Sequence, residues 1–404
     1  MITEDRVLFE PADGDYLSVR ELTVEGGDRQ IGRDLAELAR SAYGSRLARY
    51  ADPLYGRARL AYLDRNWPRL GLRARGVADA FGLAEDGAGF DPTALGYDFP
   101  VSHGCSAVWF PPALTDVGRP LVGRNLDWYT LTFSEMAGRE PDAGEHPSYS
   151  RVTVNRCRPD DGRATLQIGS HDLLNPMIDG VNDAGLFVCI LVDSTGHGDP
   201  GASPAGGYDS GLSTNQVLGF VLDNAATVGE AKTALLGQHF FTPMAQGEHW
   251  LIADADGAAT VFEIDQASHQ YRFTDGRPDA PLVVTNHALH TYPTADMFPE
   301  VDANAEHNTF VRHRILTDAI AAHTGVWTGA DITALLATVN CAFADNARAG
   351  VSHGWPERTL WTYLADPAER RLTTRFYRRD TGTVPGTNHV TTAYTDPIAI
   401  ELKS

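Results

Sequence analysis

The residue types most suited to chemistry surround Cys105, which follows Gly104 at the start of an apolar segment. Further along the chain comes GRNLDW, which holds Arg124 and Asp127. A thiol is a good nucleophile only as the thiolate, and a nearby guanidinium favours that form while a neighbouring base accepts the proton. The pattern therefore predicts a cysteine nucleophile that Arg124 supports.

The Gly104-Cys105 bond is itself a candidate for cleavage. If it is cut, the new α-amino group of Cys105, with an intrinsic pKa of about 7.7 to 8.0, is a base on the nucleophilic residue. Asp127 can then hold and orient that amine. Singly, these residues have ordinary interpretations: a buried apolar cysteine, a strand-entry glycine, and a surface ion pair of Arg124 with Asp127. The functional interpretation rests on their occurring together.

The elements that must position these residues are predicted to be hairpins and separate helical blocks. Strand signals lie at about 7–23 and in a long run from about residue 100, and helical periodicity marks 28–67. A glycine-rich passage covers 76–96, and a loop predicted to face the substrate covers 194–211. Further helices are predicted in TNQVLGFVLDNAATVGEAKTALLG, with Thr227 as a cap, and in TFVRHRILTDAIAAH. Turn signals predict hairpins at 182–185, 256–257 and 366–367. This grouping favours antiparallel sheets covered by helices over a parallel doubly wound sheet.

Composition and charge narrow the class of protein. The chain has 404 residues, 43% of them hydrophobic and 21% charged, which is enough for a large core in one or two domains. The net charge of -20 and the pI near 5.0 oppose binding to nucleic acid or to anionic membranes, so we expect a small-molecule partner. The first residues, MITEDRVLFEPADGDY, lack the features of a secretory signal, and no run of about 18 apolar residues occurs. A cytoplasmic protein with reduced thiols is predicted.

Four segments in this order, HGCSAV, GRNLDWY, DGVNDAGL and VVTNH, resemble the cysteine branch of the amino-terminal-nucleophile (Ntn) hydrolases. The closest likeness is to the isopenicillin N acyltransferase family, with a more distant likeness to choloylglycine hydrolases and penicillin V acylases. It covers most of the chain, from about Gly32 to TLWTYLADPAERRL. The resemblance implies an α+β fold, a four-layer αββα sandwich of two antiparallel sheets covered by helices. It also implies a precursor that cuts itself into chains 1–104 and 105–404, which stay associated as one domain.

The same resemblance implies roles for individual residues. Cys105 attacks the acyl carbon of a linear amide or other acyl donor, and water or an amine then accepts the acyl group from the thioester. Asn286 in VVTNH matches the side chain that donates to the oxyanion. The family's late arginine is represented by Arg312 or Arg314, of which we choose Arg312.

The sequence departs from the choloylglycine pattern where a second polar oxyanion group is expected, because Val192 and Asp193 stand there. A backbone N-H near Val192 can serve instead, and Asp193 is predicted to bind an amine on the substrate. Trp128 begins an aromatic segment, 128–133, that is predicted to shape substrate binding.

Competing classes of function leave weaker signals. The histidines form no compact ligand pattern such as HExxH, and no GxxxxGK[ST] or GxSxG occurs, so we expect no metal and no cofactor. Two alternatives stay open: a conventional thiol hydrolase that pairs Cys105 with His103, and an uncut relative that only binds a small molecule. A metal-dependent hydrolase is a poorer third. Whether the protein forms a homo-oligomer is also open.

Overall fold

A computed structural model describes most of the chain. The described residues are 1–84, 89–96, 104–170, 172–176, 178–197, 211–242, 246–265, 267–301, 305, 307–345 and 354–403. The helices are α1 (Asp28–Tyr43), α2 (Pro53–Asn66), α3 (Pro68–Phe81), α4 (Phe133–Met136), α5 (Val217–Asn224), α6 (Val228–Leu236), α7 (Thr309–Ala322) and α8 (Gly329–Ala337).

The strands follow in chain order. They are β1 (Ile2–Phe9), β2 (Ser18–Gly26), β3 (Gly104–Phe110), β4 (Leu121–Tyr129), β5 (Arg151–Pro159), β6 (Thr165–Gly169), β7 (Asp179–Asn182), β8 (Phe187–His197), β9 (Leu212–Ser213), β10 (Phe240–Phe241), β11 (Gln246–Ala253), β12 (Ala259–Ile264), β13 (Tyr271–Asp275), β14 (Leu282–Val284), β15 (Ala342–Phe343), β16 (Glu357–Asp366), β17 (Arg371–Thr383), β18 (Val390–Tyr394) and β19 (Ile398–Glu401).

Two large sheets contain almost all of these strands. The first has the order β1-β2-β5-β6-β7-β8-β11-β12-β13, and the second β14-β3-β4-β16-β17-β18, with β15 beside β16 and β19 beside β17. Neighbouring strands in both sheets pair antiparallel, except that β2 and β5 run parallel. The predicted hairpin turns are confirmed between β7 and β8, between β11 and β12, and between β16 and β17.

The sheets face each other through β3 and β8, and helices cover their outer surfaces. Helix α1 packs on β2 and on α3, while α5 packs on β7 and β8. Helices α7 and α8 pack on the second sheet, where Val108 and Phe110 meet Leu336 in an apolar cluster. Every residue of β3 is buried, because it has neighbours on both faces. The predicted four-layer αββα sandwich is confirmed.

Local sequence explains several of the helix boundaries. The side chain of Thr227 accepts a hydrogen bond from the backbone N-H of Glu230, so the predicted cap of α6 is confirmed.

The segment 28–67, predicted as helical, contains two helices with a break at 44–52. Helix α3 extends to Phe81, beyond the expected start of the glycine-rich passage. Gly76 belongs to this helix because a Cβ there would lie 1.9 Å from the carbonyl oxygen of Arg29, so only glycine permits the close packing of α1 on α3.

Two further features concern the surroundings of the site. The predicted substrate-facing loop begins later than expected, because β8 continues to His197; residues 198–210 lie outside the described residues. Among the described residues, no helix combines the length and the apolar character that crossing a membrane requires.

Candidate active site

Cys105 is the second residue of β3, which lies between β4 and the edge strand β14 in the second sheet. Its side chain is buried, with 1% of its surface exposed. The Sγ atom lies 3.5 Å from Nη2 of Arg124, and the backbone N-H donates to Oδ1 of Asn286 at 2.7 Å. The thiol and the backbone nitrogen therefore contact different polar partners.

The thiol points into the space between the two sheets, where Arg124 is held by buried partners. Nε of Arg124 lies 2.8 Å from Oδ1 of Asp179, and Nη2 donates to the carbonyl oxygen of Ile190 at 2.5 Å. The Asp179 carboxylate also accepts hydrogen bonds from the Trp361 indole and the Tyr363 hydroxyl, at 3.1 and 2.9 Å. We call this group, together with the buried Cys189 beside it, the thiol-side cluster: Cys105, Arg124, Asp179, Cys189, Trp361 and Tyr363.

Burial dominates the electrostatics of the thiol in the uncut chain. It raises the pKa of Cys105, and the opposing charge of Arg124 does not overcome it. Burial has the opposite effect on Arg124 and lowers its pKa. The charge of Asp179 opposes this, and the pKa of Arg124 lies well above its ordinary value, so the guanidinium stays charged. The sequence prediction that Arg124 favours the thiolate stays a prediction, because in the uncut chain burial is the larger effect on the pKa of Cys105.

Asn286 lies just beyond β14 and links the two sheets at Cys105. Its Oδ1 also accepts from Nη2 of Arg312 at 2.7 Å, and its Nδ2 donates to the carbonyl oxygen of Val192 at 2.7 Å. Two donors at one atom and a carbonyl at the other establish which atom of the amide is oxygen. An amide nitrogen carries two hydrogens, and the bond to Val192 uses one of them.

Arg312, in the first turns of α7, contacts Cys105 from the other side of the strand. Its Nη1 donates to the carbonyl oxygen of Cys105 and, at 2.9 Å, to Oγ of Ser106. The alternative residue, Arg314, instead places its guanidinium over the ring of Phe298. The structure thus brings Arg312, and not Arg314, to the predicted nucleophile.

Asp127 lies on the opposite face of the sheet from the thiol, towards the loops that flank α7 and α8. Its Oδ1 accepts from the hydroxyl of Thr359 at 2.6 Å, and its Oδ2 lies 3.3 Å from Nε2 of His307. The same imidazole nitrogen lies 3.9 Å from Oε1 of Glu357, and Cys341 is adjacent. We call these four buried residues the helix-side cluster: Asp127, His307, Cys341 and Glu357. Burial raises the pKa of Asp127, but His307, Arg312 and the Thr359 hydroxyl together outweigh this effect and leave the pKa below its usual value.

Gly104 packs directly against the helix-side cluster. It pairs with Asp127 across β3 and β4, and a Cβ on Gly104 would lie 2.7 Å from Cβ of Asp127 and 2.9 Å from Oε1 of Glu357. A side chain at this position would displace the carboxylates, so glycine is required before Cys105.

The two residues predicted to bind substrate have clear positions. Asp193 is buried near the end of β8, where its Oδ1 accepts from the backbone N-H and hydroxyl of Thr195, at 2.8 and 2.6 Å. Trp128 lies in the core, and its indole donates to Oγ of Ser148 at 2.6 Å. Among the described residues, neither side chain forms a hydrogen bond or an ion pair with Cys105, so both roles stay predictions. His103, the base of the alternative thiol hydrolase, lies outside the described residues.

Sequence reasoning missed most of the groups around these predicted residues. Asp179 stands at the start of DGVNDAGL, which is interpreted from the sequence only as a hairpin. The charge of Asp179 next to a glycine was the one signal that could have identified it. His307 precedes Arg312 by one turn and a half and could have been considered with it. Cys341 and Glu357 have no local signal, because only the fold brings them to Asp127.

Two facing antiparallel sheets between helices, with a buried cysteine at the start of a strand that faces the other sheet, define the Ntn-hydrolase class. A family model described as acyl-coenzyme A:6-aminopenicillanic acid acyl-transferase matches residues 118–381, which is more than half of the chain. The chain belongs to this family, and its class of activity is that of Ntn-type amide hydrolases and acyltransferases.

Similar solved structures have low sequence identity to the chain. A mutant conjugated bile acid hydrolase from Clostridium perfringens is 14% identical, with a TM-score of 0.45, over 74% of this chain and 97% of that one. A second variant of the same enzyme has a TM-score of 0.43 at the same identity and coverage. Penicillin V acylase from Agrobacterium tumefaciens is 18% identical, with a TM-score of 0.40, over 72% of this chain and 86% of that one. No curated protein matches the chain in sequence.

Proposed function

We propose that the chain cuts itself between Gly104 and Cys105, and that the freed Cys105 is the nucleophile of a linear-amide hydrolase or acyltransferase. One observation carries the proposal. The backbone nitrogen of Cys105 is held at 2.7 Å by Asn286 while its Sγ lies 3.5 Å from Arg124, so separate partners already hold the two groups that such an enzyme uses.

Self-cleavage begins when Sγ of Cys105 attacks the carbonyl carbon of Gly104. The C-N bond between the two residues breaks, the nitrogen takes up the proton that the thiol loses, and Gly104 becomes a thioester on Sγ. Water then hydrolyses the thioester and leaves a carboxylate on Gly104 and a free thiol and amine on Cys105. Arg312 holds the carbonyl of Cys105 during these steps, which keeps the strand in place.

Cleavage supplies the base that the buried thiol lacks. The new α-amine has an intrinsic pKa of about 7.7 to 8.0, so near neutral pH it can take the proton of the thiol. Gly104 covers Asp127 in the uncut chain, and its departure leaves room for the amine beside that carboxylate. Asp127 then holds the amine in the orientation in which it serves Sγ.

The acyl-transfer cycle uses the same atoms on an external amide. Sγ attacks the acyl carbon, the α-amine returns the proton to the leaving nitrogen, and an acyl thioester forms on Cys105. Water or a second amine then takes the acyl group. Asn286 donates to the oxyanion through Nδ2, and loss of such a donor typically costs on the order of a hundred- to a thousand-fold in rate.

Chains 1–104 and 105–404 stay together because the fold interleaves them. Strand β2 pairs with β5 along its whole length, from Ser18 opposite Arg151 to Gly26 opposite Pro159. The buried guanidinium of Arg73 in the first chain also lies 3.2 Å from the carboxylate of Asp223 in the second.

The substrate in this proposal is a small-molecule amide or acyl donor that carries an amine. The carbonyl oxygen of Val192 accepts a hydrogen bond from Asn286, the proposed oxyanion donor. Asp193 is the next residue in the chain after Val192. A negative side chain there attracts a cationic group on the substrate and repels an anionic one.

Intact-mass analysis of the purified protein tests the proposal. We expect two fragments, residues 1–104 and residues 105–404, with cysteine at the new amino terminus. The Cys105→Ala variant should give one uncut chain with no amide turnover. A panel of small amides, with and without an amine, should then leave an acyl adduct on the larger fragment of the parent protein.

Cys157→Ala is the matched control, because it removes another buried thiol that lies outside the site. It should be cut and active like the parent. An uncut parent chain that hydrolyses amides would support the thiol hydrolase with His103 instead, and a Cys105→Ala chain that is still cut and active would exclude the cysteine mechanism.

A further inference from the structure

The helix-side cluster joins three kinds of metal-binding side chain from distant parts of the chain. His307 precedes α7, Cys341 follows α8, and Glu357 begins β16. One ligand atom from each of them lies within 4.8 Å of the other two, and all three residues are buried. Asp127 is a fourth, since its Oδ2 is 3.3 Å from the His307 imidazole.

The distances suit a small tetrahedral cation. Zinc binds imidazole nitrogen and carboxylate oxygen at about 2.0 to 2.2 Å and thiolate sulfur at about 2.3 Å, which separates neighbouring ligand atoms by roughly 3.3 to 3.7 Å. Nε2 of His307 lies 3.3 Å from the Asp127 carboxylate and 3.9 Å from that of Glu357. The ligand atoms of His307, Cys341 and Glu357 all lie within 4.8 Å of one another, so these three need to approach by about an ångström to complete such a sphere.

Two observations besides the cluster itself point to a ligand. Nε2 of His307 and Oδ2 of Asp127 are buried and close to each other, yet among the described residues neither atom completes a hydrogen bond. A cavity of about 340 Å³, lined by His307, Arg312 and Asn340 among others, opens onto the same imidazole and offers a route to it. Nε2 and Oδ2 thus face each other across 3.3 Å at the end of a cavity, where one bound ion could complete the coordination of both atoms.

The charges also favour a cation. Two carboxylates share the buried cluster with one imidazole, and buried charges in proteins are paired or bind metals. The nearby guanidinium of Arg312 is committed to Cys105, Ser106 and Asn286. A mixed set of sulfur, nitrogen and oxygen ligands selects zinc over magnesium or calcium, which prefer oxygen alone.

We propose that Asp127, His307, Cys341 and Glu357 form a binding site for a divalent transition-metal ion of the zinc type. The site goes beyond the proposed acyl chemistry and does not depend on it. It lies against Gly104, so it shares the Asp127 side chain with the catalytic arrangement.

The test uses the full-length Cys105→Ala chain, which keeps the reactive thiol out of the measurement and remains uncut on the proposed mechanism. After removal of metals with a chelator, Zn²⁺ should bind with a stoichiometry of one per chain. Co²⁺ in the same site should give a thiolate-to-cobalt charge-transfer band in the near ultraviolet. In the Cys341→Ser and His307→Ala variants, Zn²⁺ affinity should fall by about a hundred-fold or more, and Cys341→Ser should lose the charge-transfer band.

Cys157→Ala and His313→Ala are matched controls, since they remove a buried cysteine and a half-buried histidine outside the cluster. Both should retain the affinity and the cobalt band. No saturable Zn²⁺ binding by the folded chain, or equal binding by the cluster variants and the controls, would overturn the proposal. Cys341→Ser changes one atom only, so it decides the matter even if His307→Ala unfolds. Because no step measures acyl transfer, the site and the proposed function fail separately.

Discussion

The two clusters beside Cys105 are both buried and both contain charged groups, but they differ in the balance of positive and negative charge. On the thiol side, Arg124 faces Asp179, and the remaining capacity of the carboxylate is taken by an indole and a hydroxyl. On the helix side, two carboxylates share one imidazole and a thiol, next to a cavity. In the first cluster one cation therefore faces one anion. The second has excess negative charge and room for a cation.

Removal of the carboxylate in the thiol-side cluster is expected to have the largest effect on stability. Asp179→Ala should lower the free energy of unfolding by about 3 to 5 kcal/mol, because it leaves the buried guanidinium of Arg124 without a counter-charge. Urea denaturation of the uncut Cys105→Ala chain measures it. Asp183→Ala is the control, since Asp183 pairs with Arg163 at the surface and should contribute under about 1 kcal/mol. Equal losses in the two variants would show that the thiol-side pair is no stronger than an exposed one.

The pH dependence of the free energy of unfolding tests the thiol-side cluster through Cys189. The expected change is somewhat smaller than that of Asp179→Ala. Burial, opposed in part by Arg124, raises the pKa of Cys189 to about 12. A group whose pKa is raised in the folded state stabilises the fold fully below its unfolded pKa, here about 9, and that stabilisation is lost as the pH rises towards 12. Between pH 8 and 10.5, Cys189→Ala should therefore lose about 2 kcal/mol less stability than the parent.

Only the change with pH matters in this experiment, because the smaller side chain of alanine adds a cost that does not depend on pH. The Asp183→Ala chain should follow the parent across the range. If Cys189→Ala and the parent lose stability in parallel, the thiol ionises as readily in the folded chain as in the unfolded one.

The smallest expected effect is on the helix side. Glu357→Gln, in the presence of a chelator, should leave stability within about 1 kcal/mol of the parent and should tend to raise it, because it relieves repulsion between two carboxylates. Urea denaturation of the Cys105→Ala chain again provides the measurement. A loss comparable to that of Asp179→Ala would contradict the contrast, since it would mean that Glu357 already balances a buried cation.

Local signals account for what the sequence predicted well. The turn at 256–257 and the cap at Thr227 depend on a few adjacent residues, so they could be identified without the fold. The late arginine was identified from its place in a family pattern, and the structure brings Arg312 to the carbonyl of Cys105. Its catalytic role stays a prediction, as do those of Arg124 and Asn286.

The sequence did not predict which residues the fold brings together from distant parts of the chain. Asp127 and Arg124 are three residues apart in one strand, so strand alternation places them on opposite faces, although the sequence pattern assigned both to the same nucleophile. Cys341 and Glu357 reach Asp127 only because α8 and β16 pack beside β4. The glycine-rich passage was misjudged for a related reason: Gly76 serves helix packing, which depends on a partner distant in sequence.

The parallel pairing of β2 with β5 has a consequence for assembly kinetics. In the uncut precursor the two strands belong to one polypeptide, so their pairing is a unimolecular event whose rate does not depend on concentration. On the proposed cleavage of the Gly104-Cys105 bond, the same ladder would join two molecules, and recovery after denaturation would become a bimolecular reaction. The uncut chain can thus refold at any dilution, whereas the cut protein of the proposal would depend on a barrier to unfolding for its lifetime.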